Sequence, residues 1–323
     1  MDVIKLAEDI IGGYRIKRGD DTVFFITAEL EQLCSGADRI RKHFKGKHVD
    51  LCSIINGRSG RCSENCKFCA QSAHHCTGIE EYPFLDEKKI LAECLHNEER
   101  GVHRFSIVTA GRTLSDDDFE NAISAYKLMG SKSSLELCAS HGLLSQVQFD
   151  RLHSAGVRRY HANIETSRRN FPNICTTHTY EDKIECIRRA QKAGFEVCSG
   201  GIIGMGENWE DRIDMAVSLS ELGVKSIPIN ALMPIKGTPL ENTERITAED
   251  ILRTVALFRY IVPEADIRLA AGRNLMENCG AKAFLSGADA TITGDMLTTS
   301  GNDIQGDIEM LNSMGFSTER RQK

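Results

Sequence analysis

The feature that most constrains this fold is a regular alternation of short apolar runs with longer amphipathic segments. Eight runs have the length and composition of buried strands: 49–55, 103–109, 134–140, 159–164, 195–203, 226–232, 265–271 and 289–294. Segments between them, such as 116–130 and 247–261, have apolar residues at helical spacing and acidic residues in the first turn. Eight strand–helix units predict an α/β fold, the parallel (β/α)8 barrel of TIM type, whose active site lies at the C-terminal ends of the strands.

The residues before the first apolar run predict a helical extension. A helical pattern covers residues 24–44, so we expect an N-terminal helical extension over 1–47 and the barrel over 48–318. No linker or low-complexity tract interrupts the pattern, which favours a single domain over 1–323.

Charge and hydropathy exclude several classes of partner. The net charge is -6, and the 40 basic residues are spread along the chain, which argues against a nucleic-acid partner. The first residues are charged and lack the apolar run of a signal peptide. No stretch approaches the roughly 20 apolar residues of a membrane span. We therefore expect a cytoplasmic protein with no membrane partner.

The chain has 12 cysteines, and a long chain without a signal peptide is expected to keep most of them as free thiols. Four lie close together after the first strand: Cys62, Cys66, Cys69 and Cys76. Structural zinc normally takes four protein ligands, so a zinc knuckle completed by Cys76 is one interpretation. The other is a four-iron cubane held by the C-x3-C-x2-C triplet, which leaves one iron open to chelate a small molecule. His74 and His75 are interpreted as polar loop residues.

The segment around these cysteines resembles a known signature. With aromatic Phe68 before the last cysteine, C-x3-C-x-F-C resembles the motif of the radical S-adenosylmethionine superfamily, and IINGRSGRCSENCKFCAQSAHH resembles the biotin synthase family within it. The resemblance covers most of the chain and continues in order through YHANIETS, CTTHTY, VCSGGIIGMGE, IPINAL, GTPL, IRLAAGR and LTTSGN. Several spaced motifs in the correct order are more specific than one triplet.

This resemblance implies a reaction and two cofactors. Cys62, Cys66 and Cys69 would bind a [4Fe-4S] cluster whose open iron takes the amino and carboxylate groups of S-adenosyl-L-methionine. One electron then gives methionine and a 5′-deoxyadenosyl radical, which abstracts hydrogen from unactivated carbon. The implied activity is the insertion of sulfur into dethiobiotin to give biotin, with two hydrogen abstractions and two molecules of S-adenosylmethionine per product.

The resemblance also assigns residues to the cofactor and the substrate. The residues assigned to the cofactor are Phe68, Ala110, Gly111, Asn163, Glu165, Gly200, Ile202, Gly204 and Glu207. Those assigned to the substrate are Asn163, Asn230, Thr298 and Thr299. Glu165 matches the acidic residue that binds the ribose diol in relatives, and two carboxylate oxygens suit that geometry. Taken singly, each polar residue also fits an ordinary strand-end position, and the glycines fit a strand-to-helix turn.

The family's sulfur donor is an auxiliary cluster deep in the barrel, with three cysteines and one arginine as its usual ligands. Cys138, Cys198 and Arg268 match three of these positions, but Ser106 stands where the fourth has cysteine. We hypothesise that Cys52 replaces it, because alternate strands of a barrel contribute side chains to one layer and these four residues fall on predicted strands one, three, five and seven. The alternatives are that Cys52 is a small buried residue and that Arg268 pairs with a carboxylate.

The altered ligand set leaves the type of auxiliary cluster open. The usual family pattern is [2Fe-2S], and a larger variant such as [4Fe-5S] is associated with anaerobes. The resemblance further implies a reduced flavodoxin- or ferredoxin-type electron donor and a homodimer. Two other functions compete with this interpretation: a related radical barrel of the hydrogenase-maturation type, and a metal-binding barrel without radical chemistry.

Overall fold

The computed structural model describes residues 2–294 and 301–320, and its parallel strands form a barrel surrounded by helices. The strands are β1 Asp50–Arg58, β2 Arg104–Thr109, β3 Glu136–Ser140, β4 Arg159–His161, β5 Glu196–Cys198, β6 Gly201–Ile203, β7 Ser226–Ala231, β8 Asp266–Leu269 and β9 Ala290–Ile292. Their order around the barrel is β5-β4-β3-β2-β1-β9-β8-β7-β6, and the pairing of Cys198 with Ser226 closes it between β5 and β7. The predicted fold class is confirmed.

Helices precede the barrel and cover its outside. Their bounds are α1 Val3–Ile11, α2 Phe24–Thr27, α3 Leu30–Lys45, α4 Glu87–Glu99, α5 Asp116–Lys132, α6 Gln146–Ser154, α7 Phe171–Ile174, α8 Tyr180–Lys192, α9 Trp209–Glu221, α10 Ala248–Ile261, α11 Ala281–Phe284 and α12 Ile304–Ser313. In the part of the chain that the structure describes, no helix combines the length and apolarity needed to cross a membrane.

The predicted fifth strand, 195–203, is two short strands in the structure. β5 pairs with β4, whereas β6 pairs with β7 and lies beside Glu165. The break falls at Gly200, whose backbone N–H donates to the Asn163 side chain (3.0 Å) and whose carbonyl accepts from Glu165 N (3.1 Å). These local bonds replace the ladder bonds that would have kept the strand continuous.

The helix starts follow from their capping residues. The Thr247 hydroxyl accepts from Asp250 N (3.1 Å), while the Asp250 carboxylate accepts from Thr247 N (3.1 Å), so α10 begins with a capping box. The same pairing begins α6, α8 and α9. α1 lies within the predicted helical extension, although before the helical pattern of residues 24–44, and the Asp2 side chain caps it by accepting from Ile4 N (2.9 Å). The predicted domain bounds stay a prediction.

Register and side-chain alternation bring the candidate site residues together inside the barrel. Cys52 on β1 lies opposite Arg104 on β2, and Ser106 lies opposite Cys138 on β3. On β8, Arg268 lies opposite Pro228 of β7. Because successive side chains of a strand point to opposite faces, these positions face inward while neighbours such as Phe105 and Leu137 pack in the hydrophobic core.

Candidate functional site

The loop that carries the clustered cysteines follows β1 and is closed on itself by hydrogen bonds. Gln71 accepts two of these hydrogen bonds. Its backbone carbonyl accepts from Cys62 N (3.0 Å), and its side-chain oxygen accepts from Gly60 N (3.2 Å). Gly60 has φ 78°, a left-handed conformation that glycine adopts without strain. The carbonyl of Cys62 accepts from Ala73 N (2.8 Å), so the loop returns beside its own start.

The three predicted cluster ligands lie in this loop at the mouth of the barrel. Cys62 is buried, whereas Cys66 and Cys69 are partly buried, and Phe68 and Cys69 line the central cavity. Three thiols on one tight loop are soft donors that fit an iron–sulfur cluster. Cys66 is also close to a residue to which the sequence gave no role, the buried Cys175.

The zinc-knuckle interpretation gains no support from the described residues. Cys76 is exposed and belongs to neither group of His, Cys, Asp or Glu side chains in the described ranges that lie close enough to hold one ion. His74 bonds to the carbonyl of Ser63 (3.1 Å) and His75 to that of Cys69 (2.9 Å). These histidines form hydrogen bonds to the loop backbone, as expected of polar loop residues.

A cavity of about 290 Å³ runs from the cysteine loop into the barrel. The four residues proposed for the auxiliary cluster all line it, together with Ser106: Cys52, Cys138, Cys198 and Arg268. The barrel therefore brings Cys52 to the same cavity as the matched family positions. Their role as ligands stays a prediction.

The inner end of the barrel, at the start of the strands, is charged. The Asp50 carboxylate pairs with Arg268 and Arg104 and lies 3.8 Å from Arg159 Nη1. Burial acts to raise the pKa of Asp50, but Arg268 and the other arginines outweigh it and hold that pKa well below the usual range. The structure therefore contains the ion pair expected under the alternative interpretation of Arg268, in which this interior charge pairs with a carboxylate. Its guanidinium also donates to the Thr291 carbonyl (2.9 Å), which fixes its position.

Each buried thiol in the cavity interacts with a neighbouring side chain: Cys52 with Cys138, and Cys198 with His161. The hydrogen bond from Cys138 lowers the pKa of Cys52 to about 6, and the nearby Arg268 acts in the same direction, although burial opposes both. Across the cavity, burial acts to lower the pKa of His161, but the hydrogen bond and charge of Cys198 outweigh it and raise that pKa. The same hydrogen bond raises the pKa of Cys138 well above its usual range, so within this pair Cys52 is the thiol that favours the metal-binding thiolate form.

Sequence reasoning missed two basic residues that line this cavity, Arg159 and His161. Both belong to β4, and with Asn163 they repeat every second residue, whereas Tyr160 between them is fully buried in the core. Period-two alternation places all three on the face that Asn163 was predicted to occupy. That signal was present in the sequence.

Asn163 and Glu165 form the wall of the cavity after β4. The Asn163 amide donates to Glu165 Oε2 (3.3 Å), and its carbonyl oxygen accepts from Gly200 N (3.0 Å). Glu165 has φ 68°, and its backbone bonds to both Gly200 and Ile202 hold it in this left-handed conformation. A non-glycine residue held in that region is strained, and such strain is concentrated at functional sites.

Replacing Glu165 by glycine is expected to stabilise the fold relative to replacing it by alanine. Both changes remove the carboxylate, but alanine keeps the left-handed strain at φ 68° and glycine relieves it. We expect Glu165→Gly to exceed Glu165→Ala in free energy of unfolding by about 1 kcal/mol. Urea unfolding of the two variants measures the difference. Equal stability would show that the backbone at this position relaxes.

Asn230, Gly200 and Gly201 form the adjoining part of the wall. The Asn230 amide donates to the Gly201 carbonyl (3.1 Å), and its oxygen accepts from Ala271 N (3.2 Å), so the side chain has one fixed orientation at the cavity. A Cβ on Gly200 would lie 1.9 Å from the Pro228 carbonyl oxygen. A Cβ on Gly201 would lie 2.3 Å from that of Glu165. These glycines allow close approach of backbone to backbone.

Some assigned cofactor residues lie away from the cavity surface. Both oxygens of the buried Glu207 carboxylate are used, since they accept from Gly204 N (2.8 Å) and Met205 N (2.7 Å), and Arg212 pairs with it (2.9 Å). The Glu207 carboxylate thus stabilises the turn formed by residues 204–207. Ile202 lines the cavity.

The remaining assignments follow β2 or lie near the C-terminus. Ala110 N donates to the Arg58 carbonyl (3.0 Å), and Gly111 has φ 128°. The residues that line the cavity do not include Ala110 or Gly111 in the described part of the chain. Thr298 and Thr299 lie outside the described residues.

Family models match two parts of the chain. Residues 58–219 match the radical SAM superfamily, and residues 228–317 match the biotin and thiamin synthesis associated domain. A biotin synthase from Alkaliphilus metalliredigens (strain QYMF) is 64% identical over 316 residues, which cover 98% of this chain and 99% of that protein. A biotin synthase from Clostridium beijerinckii is also 64% identical, over 97% of this chain and 99% of that protein.

Solved structures with the same fold are much more distant in sequence. A methylornithine synthase superimposes with a TM-score of 0.83 at 19% identity, covering 98% of this chain and 97% of that one. A maturase of the [FeFe]-hydrogenase superimposes with a TM-score of 0.81 at 16% identity, covering 98% of this chain and 74% of that one. At these identities the likeness establishes the fold alone.

Proposed function

This chain belongs to the biotin synthase family of the radical S-adenosylmethionine superfamily, and from that premise we propose that it converts dethiobiotin to biotin. The observation that carries the proposal is that one cavity joins the cysteine loop to the deep thiols, since Cys69 and Cys138 both line it. A substrate in that cavity has a hydrogen-abstracting cofactor at one end and a sulfur source at the other. The hydrogenase-maturation alternative has only the shared fold in its support.

The cofactor groups supply the radical and the sulfur, and the chain positions them. Cys62, Cys66 and Cys69 are the ligands we propose for the [4Fe-4S] cluster, and Cys52, Cys138, Cys198 and Arg268 are those we propose for the auxiliary cluster. When bound, the first cluster and S-adenosylmethionine generate the species that removes hydrogen from carbon. Side chains of this protein exclude water from the cavity and orient the cofactor and the substrate.

We propose that the apolar side chains in the cavity walls keep water away from the reacting carbons. The cavity is lined by apolar side chains from several strands and loops: Ile54, Val108, Ile202, Leu232 and Ile292. Phe68 and Ile202 also pack on a small apolar cluster with Met205 and Leu232 near the mouth. A dry cavity prevents side reactions of a reactive radical, and flat apolar surface there suits a nucleobase.

Polar groups on the walls orient the two organic molecules. We propose that Glu165, with its orientation set by Asn163, accepts the hydroxyls of the cofactor ribose. The Asn230 side-chain nitrogen donates one hydrogen to the Gly201 carbonyl and keeps a second, which suits a carbonyl oxygen such as that of the dethiobiotin ureido ring. Glu207 contributes indirectly, because its carboxylate fixes the Gly204 turn.

The charged inner end of the barrel suits an anionic cluster. Three arginines meet four carboxylates there, Asp50, Glu136, Glu196 and Asp266. Of this network, the side chains that line the cavity in the described part of the chain are the cations Arg159 and Arg268. Thiolate-ligated clusters carry negative charge, and a buried cationic surrounding stabilises it. We propose that the two cationic side chains hold the auxiliary cluster electrostatically as well as by ligation.

Four finer assignments belong to the same proposal. The Cys52, Cys138, Cys198 and Arg268 set, with Ser106 beside it, supports an auxiliary cluster whose type is either [2Fe-2S] or a larger form such as [4Fe-5S]. A reduced flavodoxin- or ferredoxin-type protein is the electron donor we propose, the assembly is a homodimer, and the location is the cytoplasm.

The direct test of this function is a single-turnover assay without oxygen. Reconstituted protein is mixed with dethiobiotin, S-adenosylmethionine and a reductant, and biotin, methionine and 5′-deoxyadenosine are quantified by mass spectrometry. We expect biotin to form together with about two equivalents of 5′-deoxyadenosine, one for each hydrogen removed. Formation of 5′-deoxyadenosine without biotin would point to a radical enzyme with another substrate.

A further inference from the structure

A second segment of the chain lies directly against the cysteine loop. It runs from Cys175 to His178, between α7 and α8, and the side chain of Asn65 holds it in place. The Asn65 carbonyl oxygen accepts from the backbone N–H groups of Thr176 (2.9 Å) and Thr177 (3.3 Å). The Asn65 side chain therefore helps to fix the position of this segment beside the cysteine loop.

Three metal-binding side chains meet where the segment touches the loop. The Sγ atoms of Cys66 and Cys175 and a ring nitrogen of His178 all lie within 4.8 Å of one another. Cys175 Sγ is 3.3 Å from His178 Nδ1, and these two residues are only 4% and 6% exposed. Donors this close fit a single ion, whereas a four-iron cluster holds its thiolates farther apart. Two thiolates and an imidazole are ligands that zinc and ferrous iron prefer.

A carboxylate is available for the fourth position. Glu64 Oε2 lies 2.5 Å from His178 Nδ1 and accepts from the Thr177 hydroxyl (2.9 Å). Glu64 is 7% exposed, and Arg112 is the cation near it, at 3.9 Å. A buried carboxylate beside a histidine either completes a tetrahedral site or orients the imidazole.

One other group of donors in the described ranges is this compact, and its members are already engaged. It consists of His48, Asp50 and His103. Asp50 pairs with arginines, and His103 bonds through both ring nitrogens, to Leu51 N (3.0 Å) and to the Thr318 carbonyl (2.9 Å). Of the two groups, the one at Cys66 is better suited to bind a metal.

We propose that Cys66, Cys175 and His178, with Glu64 as the fourth donor, form a binding site for one divalent ion such as Fe²⁺ or Zn²⁺. Because Cys66 has one sulfur, this site and the [4Fe-4S] cluster are alternatives. This exclusion rests on the proposed role of Cys66 in the cluster, whereas the ion site itself does not. The ion binds to the chain before the cluster is assembled or after it is lost, and binding displaces the thiol protons.

Cobalt binding to the full-length chain tests the site. In a Cys62→Ala/Cys69→Ala variant, which cannot hold the cluster, we expect Co²⁺ to bind with two sulfur ligands and nitrogen or oxygen ligands, as measured by cobalt X-ray absorption. Adding Cys175→Ser, or separately His178→Gln, removes one equivalent of bound cobalt. Adding Cys186→Ser, which changes a buried thiol on α8 outside the group, leaves cobalt binding unchanged.

The ion site is overturned if neither Cys175→Ser nor His178→Gln lowers the cobalt stoichiometry in variants that keep the circular dichroism of the parent. Cobalt taken up by the deep thiols is the same in all of these variants and cancels in the comparison.

A second measurement tests the exclusion. Zn²⁺ added during reconstitution of the otherwise native chain is expected to lower the yield of the four-iron cluster, and Cys175→Ser is expected to reduce that inhibition. If cobalt binds as expected but inhibition by zinc is the same with and without Cys175→Ser, the ion site stands and the shared use of Cys66 is wrong. Both measurements are independent of biotin formation, so failure of the proposed function is recognised separately.

Discussion

Replacing Cys69 by alanine is expected to lower biotin formation more than about 1,000-fold, which corresponds to about 4 kcal/mol of activation free energy. Cys69 is the proposed cluster ligand that also lines the cavity, so its loss removes a ligand at the point where the cofactor meets the substrate. The cofactor carries the difficult chemistry, and none of the side chains that line the cavity in the described part of the chain offers another way to remove hydrogen from unactivated carbon. Single-turnover formation of biotin and of 5′-deoxyadenosine measures the effect.

The matched control is Cys76→Ala. Cys76 is a cysteine of the same sequence cluster, but it is exposed, and Cys69 is partly buried. We expect Cys76→Ala to keep activity within about twofold of the parent, since substitutions of exposed side chains usually have small effects. Equal losses in the two variants would favour a four-thiolate site that includes Cys76, and the proposed triplet would be wrong.

The second large effect is on stability. Replacing Asp50 by alanine is expected to lower the free energy of unfolding by about 3–5 kcal/mol, because it leaves buried cationic side chains without their shared carboxylate. In this variant Arg104 retains its ion pair with Glu136, and Arg159 retains its ion pairs with Glu196 and Asp266. In the described part of the chain, Asp50 is the one carboxylate that forms an ion pair with Arg268. Urea unfolding of the cluster-free chain measures the loss.

The control for this change is Glu120→Ala, which breaks an exposed ion pair with Arg151. Exposed pairs are screened by solvent and contribute little to stability, so Asp50→Ala should be clearly more destabilising than Glu120→Ala. If Asp50→Ala is no more destabilising than Glu120→Ala, the charges at the inner end of the barrel are solvated and the proposed electrostatic support of the auxiliary cluster fails.

The barrel could be predicted because its signals are local and repeat along the chain. β2 and β3 were predicted within two residues at each end, and α5 begins at the residue where its acidic first turn was recognised. The predicted fifth strand was wrong as a continuous element because its break depends on Asn163, which lies far away in sequence. Bonds between distant residues do not show in a hydrophobic pattern.

The candidate site could be predicted only in part, for a related reason. The alternation of side chains along strands is visible in the sequence, and it predicted that Cys52 and Cys138 face the barrel interior. Both residues line the cavity. Alternation alone did not show that Asp50 would pair with Arg268, because the strands β1 and β8 that carry them do not neighbour each other in the chain. Cys175 was given no role, although its i, i+3 spacing to His178 is a metal-ligand spacing, because its third partner lies on another loop.

We propose that a second iron–sulfur cluster lies deep in the barrel and is the source of sulfur. The most direct test is to reconstitute the Cys62→Ala/Cys66→Ala/Cys69→Ala variant without oxygen and to count iron and acid-labile sulfide per chain, alone and with Cys52→Ser added. We expect the triple variant to keep a cluster and Cys52→Ser to lower the iron content of that variant. About two irons would indicate the usual donor, and more than two a larger one. A triple variant with no iron and no sulfide would show that the barrel binds no second cluster.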